Sequence, residues 1–76
     1  MYLNNIKNNG YYTVDEINLD EKNKRRLYDI GLVIGTKIKL LFLSPSKKIK
    51  AYLIRDSIIA IRDKDASKIK VRELND

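Results

Sequence analysis

Alternating residues after Gly10 predict that the fold opens with a strand. Residues 11–17 are rich in aromatic and β-branched side chains, which favour extended backbone. Their alternation places two sets of side chains on opposite faces of the strand. One face carries Tyr12, Val14 and Glu16, and the other carries Tyr11, Thr13 and Asp15.

The next segment, residues 21–30, has the pattern of a short helix. Asp20 can cap its first turn, and Gly31 can end it in the left-handed conformation. Leu27 and Ile30 share one face because they are three residues apart. A helix of this length is marginally stable alone, so we expect it to dock on the strands.

Gly35 permits a turn into residues 36–43, which alternate as a second strand. We expect one series to point inward and the other outward: Ile38, Leu40 and Phe42 inward, Lys37 and Lys39 outward. The outward series becomes apolar at Leu41 and Leu43. These two leucines either cover a neighbouring element or form an exposed apolar edge that is prone to association.

The remainder of the chain predicts three further strands with short connections. The strands cover residues 49–55, residues 58–62 and the alternating segment around Ile69 and Val71. Connections are predicted as a loop at residues 44–48, a turn at Asp56 and Ser57, and one helical or 3₁₀ turn at residues 63–67.

Five short strands and one early helix in 76 residues predict a single domain, residues 1–76. The expected class is all-β: a small SH3-like five-stranded barrel with one short α-helix inserted after the first strand. Closure into a barrel would remove the exposed edges of a thin sheet. An open α+β sheet with the helix on one face is the alternative.

The charge is basic and unevenly distributed. Sixteen Lys and Arg residues against ten Asp and Glu residues give a net charge of +6. Residues 1–21 sum to −3 and residues 22–76 to +9. This excess suggests an anionic partner such as nucleic acid, although a general enrichment in lysine explains it equally well.

The amino-acid composition excludes most catalytic mechanisms. The chain has no Cys and no His, which excludes thiolate nucleophiles, imidazole catalysis and Cys/His zinc sites. Its three glycines do not form a phosphate-binding loop. Asp63 and Asp65 make a poor cation site without a third ligand, and we assign Asp63 to helix capping. We therefore predict a protein that is not an enzyme and holds no metal or cofactor. No apolar run approaches the roughly 20 residues of a membrane span.

Two gapped motifs resemble one known family. Residues 25–38, RRLYDIGLVIGTKI, resemble the R-R-L-x-x-(L/I)-G-L-x-x-G-x-x-(I/V) core of the FeoA family, small SH3-like proteins of bacterial ferrous iron transport. Further on, Pro45, residues 58–62 (IIAIR), Ala66, Ile69 and Val71 resemble the end of that family's pattern. A similar domain also ends iron-dependent repressors.

The resemblance implies an accessory role in ferrous iron uptake. It implies contact with the cytoplasmic part of the FeoB membrane transporter, and hence a cytoplasmic protein that meets the membrane only through the transporter. No nucleic acid is expected as a partner. Two alternatives stay open: a nucleic-acid-binding small barrel, and a free-standing regulatory domain like those that end the repressors.

Residues within the motif divide into a structural and a partner-binding set. Gly31 and Gly35 are expected to shape the turns, with Leu27, Ile30 and Leu32 in the core. The predicted partner-binding residues are Arg25, Arg26, Tyr28, Leu41, Leu43 and Arg62, with tyrosines 11, 12 and 52 as further surface candidates. Pairing of two copies at Leu41 and Leu43 would give a homo-oligomer.

The chain departs from the family pattern at two places. Residues 44–48 replace a longer A-P-x-G-D-P loop and have neither its Gly nor its Asp. Residues 55–57, Arg-Asp-Ser, stand where a Gly usually precedes the penultimate strand. A partner contact made through the shortened loop would be different and more positive here.

Overall fold

Five antiparallel strands pair side by side in a single sheet. The structure is a computed structural model and describes residues 1–7, 10–43, 46 and 48–74. The strands are β1 (Tyr11–Ile17), β2 (Lys37–Leu43), β3 (Ile49–Ile54), β4 (Ser57–Arg62) and β5 (Ile69–Glu73). A 3₁₀ turn spans Leu3–Asn5, helix α1 spans Glu21–Asp29 and helix α2 spans Asp63–Ala66. The order across the sheet is β4-β3-β2-β1-β5.

The five predicted strands and the helix after the first strand are confirmed. The order ends at β4 and β5, which do not pair with each other within the described residues, so the sheet is not closed. The turn before β4 lies at Arg55 and Asp56, one residue earlier than predicted. Of the predicted loop, residues 44, 45 and 47 lie outside the described residues.

The N-terminal segment completes the core, a role that the sequence analysis missed. Leu3 and Ile6 are 0% and 2% exposed and belong to the main hydrophobic cluster. The Val71 N–H donates to the Met1 carbonyl at 2.8 Å, and Tyr2 bridges to Lys70. The segment therefore lies along the outer edge of β5 while its apolar side chains fill the interior.

Two shifts in strand register overturn two predicted orientations. The β1–β5 pairing shifts between Val14 and Glu16, so Ile17 is buried and Glu16 is exposed. The β2–β3 pairing shifts between Leu40 and Phe42, and the predicted inward position of Phe42 is wrong because its side chain is 60% exposed. An irregularity of this kind changes the direction of the side chains next to it.

The ends of α1 follow the predicted signals with two differences. Asp20 occupies the N-cap position, but its Oδ1 accepts a hydrogen bond from Asn23 Nδ2 at 2.6 Å instead of bonding the backbone. Gly31 ends the helix with φ of +91°, and Leu32 behind it is fully buried. Ile30 is 40% exposed, so its predicted place in the core is wrong.

Substitution of the two motif glycines should reveal backbone strain at both positions. Both have left-handed φ angles, +91° at Gly31 and +92° at Gly35, so alanine at either should cost about 1–2 kcal/mol. A Cβ at Gly31 would meet only the side chain of Arg55, 2.8 Å away at Cδ, and a Cβ at Gly35 meets nothing within 4 Å. Because Arg55 is exposed and its side chain can move, we expect Gly31→Ala and Gly35→Ala to lower the free energy of unfolding in urea by similar amounts. A much larger loss at Gly31 would show that the Arg55 side chain cannot move aside.

Candidate functional site

A groove separates α1 from β4 and is the main candidate for a functional site. Its volume is about 270 Å³. One wall belongs to α1 and its flanks, and the other to β4 and α2. The lining residues are Leu19, Asn23, Arg26, Leu27 and Ile30 on the first wall, and Ile59, Ala60, Ile61, Arg62 and Asp65 on the second.

The floor of the groove is apolar because α1 is lightly packed. None of the nine residues of α1 is buried, although a helix this short depends on docking for its stability. Leu27 and Ile59 pack against the edge of the core, and both are half-buried. Ile30 leaves 40% of its surface exposed above them. The groove therefore offers apolar surface that the chain itself does not cover.

Two arginines give the groove its positive charge. Arg26 and Arg62 both line it, which brings together two residues that the sequence analysis assigned to partner binding. Arg26 forms no ion pair within the described part of the chain, so the possible pair with Asp29 is not made. Arg62 Nε lies 3.7 Å from Asp65 Oδ2, but its side chain is 64% exposed. An exposed pair at this distance contributes little and can rearrange when a ligand arrives.

The other predicted partner residues lie elsewhere. Arg25 shares a second surface of α1 with Arg26, and Tyr28 is 44% exposed. Leu43 is 46% exposed and lines a different depression beside Lys50, while Leu41 is half-buried. The predicted set therefore divides into at least two separate surfaces.

Some predicted surface residues are interior, and some groove residues escaped prediction. Tyr12 and Tyr52 are 2% and 0% exposed, so they cannot serve as surface anchors. The missed groove residues are Asn23, Ile59 and Ala60. The apolar run at residues 58–61 is the one signal that could have indicated them, since four consecutive apolar residues are unusual in a half-exposed strand.

A second polar cluster has a structural role. Lys50 Nζ donates to the Asn4 carbonyl at 2.6 Å and lies 3.4 Å from Asp63 Oδ1. Asp63 is the first residue of α2, with Arg62 as the N-cap, so the predicted capping by Asp63 is wrong. Because Asp65 faces Arg62 instead, the two aspartates serve separate ion pairs. No group of three or more His, Cys, Asp or Glu side chains suited to a metal ion occurs among the described residues.

The buried Tyr52 makes stability depend on pH in alkaline solution. Burial, reinforced by the nearby Asp63 charge, raises the pKa of Tyr52 well above its ordinary value of 10.0. Below the ordinary value, the folded and the unfolded chain both keep the phenolic proton. Above it, the unfolded chain loses this proton while the folded chain keeps it, so the free energy of unfolding falls as pH rises.

Tyr52→Phe should flatten this alkaline decline. We expect it to leave stability at pH 7 within about 1 kcal/mol of wild type, because the hydroxyl is buried without a hydrogen-bond partner among the described residues. Urea unfolding across the alkaline range, compared with wild type, measures the difference. An unchanged slope would show that Tyr52 does not cause the decline.

Fold and site together define a small SH3-like, mostly β domain with a partly apolar groove between α1 and β4. Residues 1–73 match the sequence model of the family described as FeoA domain. The chain belongs to the FeoA family. It therefore shares the accessory role of that family in iron transport, and the family is not one of enzymes.

Solved structures show the same fold. The FeoA protein of Chlorobium tepidum has a TM-score of 0.92 and 28% identity, with 99% of this chain and 71% of that chain covered. A FeoA-like protein of Clostridium acetobutylicum has a TM-score of 0.86 and 26% identity, with 100% and 88% covered. These similarities confirm the SH3-like prediction.

More distant similarity extends to metal-dependent regulators. A manganese-dependent transcriptional repressor in complex with manganese has a TM-score of 0.86 and 18% identity, and the match covers 97% of this chain and 36% of that chain. That similarity concerns the fold alone.

No curated protein matches the chain in sequence. Within the described residues, no helix is long and apolar enough to span a membrane.

Proposed function

We propose that the chain acts in ferrous iron uptake by binding the cytoplasmic part of the FeoB membrane transporter and modulating it. The observation that carries the proposal is the groove beside α1, which has an apolar floor and two arginines, Arg26 and Arg62. Aromatic and arginine side chains around an apolar centre are typical of protein contacts. A cytoplasmic location of the chain follows from this proposal.

Chemistry supports a binding role over a direct role in handling iron. The chain has neither Cys nor His, and iron sites in proteins draw on imidazole, thiolate or clustered carboxylates. Among the described residues, its groove contains a single carboxylate, Asp65, which lies beside Arg62, and no cluster of three or more His, Cys, Asp or Glu side chains suits a metal ion. The chain is therefore suited to act on the transporter and not on the ion.

The proposed contact centres on the groove side of α1. Arg26 lines both the groove and the adjoining surface that carries Arg25. Tyr28 is 44% exposed, but it lies two residues from Arg26 and therefore on a different face of the helix, the face of Arg25 three residues earlier. Leu43, in a depression away from the groove, and the half-buried Leu41 are assigned to a secondary contact or to pairing of two copies.

Capture of the chain on the immobilised cytoplasmic domain of the transporter tests the proposal. The transporter that the family resemblance implies contains a GTPase, so the capture is made without nucleotide, with GDP and with a non-hydrolysable GTP analogue. Wild type should be retained in at least one state, and Arg26→Gln should reduce retention. Arg72→Gln is the matched control, because Arg72 lies on β5 and pairs with Asp15 at 3.3 Å, away from the groove residues. Absence of retention in every state would refute direct contact.

Two further experiments test the alternatives, a contact made through Leu41 and Leu43 and a nucleic-acid partner. Loss of retention in Leu41→Ala but not in Arg26→Gln would move the contact to the second surface. Titration with duplex DNA and RNA at several salt concentrations examines the nucleic-acid alternative. A binder of phosphates loses affinity steeply as salt rises, and we expect no such binding.

A further inference from the structure

The two terminal strands of the sheet differ in how their outer edges are covered. On β5, the Val71 N–H is bonded to the Met1 carbonyl at 2.8 Å and Lys70 pairs with Tyr2. β4 pairs with β3 on one side, and no described backbone group bonds its other side. Within the part of the chain that the structure describes, the edge of β4 is therefore unpaired along its length, whereas that of β5 is paired in part.

β4 has few of the devices that protect a strand edge: its one charge is Arg62 at its end, and α1 faces it only across the groove. Proteins protect such edges with proline, lysine, bulges or inward-pointing charges. The sequence of Ser57–Arg62 is SIIAIR, which contains neither proline nor lysine. Its register with β3 runs through six pairs without a shift, whereas β1–β5 and β2–β3 both contain one. A regular, apolar, uncovered edge is a template for another strand.

The hairpin turn determines which backbone groups face outward. Arg55 and Asp56 have φ angles of 50° and 65°, as a two-residue hairpin turn of the favoured type requires. The pair that closes such a turn, Ile54 and Ser57, is hydrogen bonded. Since bonded and non-bonded pairs alternate, the N–H and C=O groups of Ile58 and Ala60 point away from β3.

The groove runs along this free edge. Four consecutive residues of β4 and its end, 59–62, line it. Successive side chains of a strand point to opposite faces, so a cavity that touches all four lies at the backbone edge. The opposite wall is α1, none of whose residues is buried. An extended segment placed here would meet backbone on one side and the apolar face of α1 on the other.

Charge decides between a second copy of the chain and a different partner. Arg26 and Arg62 line the groove together with one carboxylate, that of Asp65, which lies 3.7 Å from Arg62 in an exposed pair. The lining keeps a positive balance with Arg26 unpaired among the described residues, and the chain as a whole carries a net charge of +6. Pairing of two β4 strands would bring like charges together, which disfavours association. An acidic segment would instead pair with both guanidinium groups.

We propose that β4 accepts an acidic, extended peptide segment as a sixth strand, seated in the groove between β4 and α1. Its backbone bonds to Ile58 and Ala60, and a carboxylate of the segment binds Arg26 and Arg62. The inference deepens the proposed function and rests on it only for the source of the segment, which we place in the cytoplasmic part of the transporter.

A short capped peptide that alternates valine with aspartate is the probe. Added to the isotope-labelled full chain, it should shift the amide resonances of Ile58 and Ala60 and slow their exchange with solvent. Nuclear Overhauser contacts should join the peptide backbone to β4. The same peptide with lysine in place of aspartate should bind at least about tenfold more weakly, a difference of about 1.4 kcal/mol.

Substitution at Ala60 tests the backbone contact. Ala60→Pro removes an outward N–H without removing a bond to β3, a position where an edge strand tolerates proline. We expect about tenfold weaker binding of the acidic peptide, whereas Ala60→Ser, which keeps the N–H, should bind within about twofold of wild type. If Ala60→Pro fails to fold, a peptide methylated at its backbone nitrogens removes the complementary bonds, those from the peptide N–H groups to the C=O groups of β4, on unaltered protein and should bind about tenfold more weakly.

Substitution of the two arginines tests the charge. The Arg26→Gln/Arg62→Gln double variant should weaken binding of the acidic peptide and reduce its dependence on salt. Arg72→Gln should change neither. Resonance shifts confined to residues outside the groove, full binding of the methylated peptide, or preference for the lysine peptide would each overturn the proposal. So would self-association through β4, seen by sedimentation, that the acidic peptide does not disrupt.

The two proposals can fail separately. If the transporter domain retains Ala60→Pro as well as wild type, then the contact with the transporter stands, and the transporter is refuted as the source of the segment that adds to β4. If the acidic peptide binds β4 but the transporter domain does not bind the chain, then the groove stands and its segment comes from another protein.

Discussion

Leu3→Ala is expected to lower the free energy of unfolding by about 2–5 kcal/mol. Leu3 is 0% exposed and sits in the hydrophobic core cluster although it precedes every strand. Truncation leaves a cavity that the surrounding strands can fill only in part. Small domains have total stabilities of roughly 5–15 kcal/mol, so this single change removes a large fraction. Urea unfolding followed by circular dichroism measures the loss.

Ile34→Ala is the matched control for the Leu3 variant. Ile34 is 64% exposed, and we expect its truncation to change stability by no more than about 0.5 kcal/mol. If Leu3→Ala proved as mild as Ile34→Ala, the N-terminal segment would not belong to the cooperative core.

Lys50→Met should have the second-largest effect, a loss of about 1–3 kcal/mol. The Lys50 side chain is 11% exposed and its ammonium joins two elements, through the Asn4 carbonyl at 2.6 Å and the Asp63 carboxylate at 3.4 Å. Methionine preserves the aliphatic packing and removes the charge. The Asn4 carbonyl then loses its donor, Asp63 loses its opposite charge, and the 3₁₀ turn loses the Lys50 bond that joins it to β3.

A double-mutant cycle with Asp63→Asn isolates the ion pair. The Asp63 side chain is 35% exposed, so water can replace part of what Lys50 supplies. We therefore expect the Asn4 carbonyl bond to account for most of the Lys50 effect and the coupling with Asp63 to be the smaller share. A coupling equal to the whole Lys50→Met loss would contradict that division.

The sequence predicted the order and type of elements because their signals are local. Asp20 and Gly31 mark the two ends of α1, and the alternation around Ile38 marks a strand. Orientation failed at Glu16 and Phe42 because each follows a register shift. A bulge is set by the partner strand, and a single-strand pattern does not contain it.

The N-terminal segment and the sheet ends could not be predicted for a related reason. Leu3 and Ile6 show no clear periodicity, and their burial depends on a gap in the core that exists only after the strands have paired. Likewise, nothing local distinguishes β4, whose edge is free, from β5, whose edge is covered by residues far away in the chain.

The candidate site was predicted in part. Arg26 and Arg62 were selected because neither is easily explained as a core residue, and the fold brings both to one groove. The resemblance could not indicate that Ala60 matters, since its importance lies in a backbone N–H and not in its side chain. Leu41 and Leu43 were selected as apolar outward residues, but they lie away from the arginines.

One departure from the family pattern has a structural explanation. Where a Gly is usual, Arg55 and Asp56 both adopt positive φ angles, 50° and 65°. Aspartate tolerates the left-handed region better than most residues, and arginine does so at a cost. The tight turn is therefore retained without glycine, and with it the register that points Ile58 and Ala60 outward.

The central claim is that the chain works by binding the transporter, and one titration tests it most directly. The cytoplasmic domain of the transporter is titrated with the wild-type chain and with the Arg26→Gln/Arg62→Gln variant, in each nucleotide state, by isothermal calorimetry. We predict saturable binding of wild type in at least one state and clearly weaker binding of the variant in the same state. No detectable binding of wild type in any state would contradict the account.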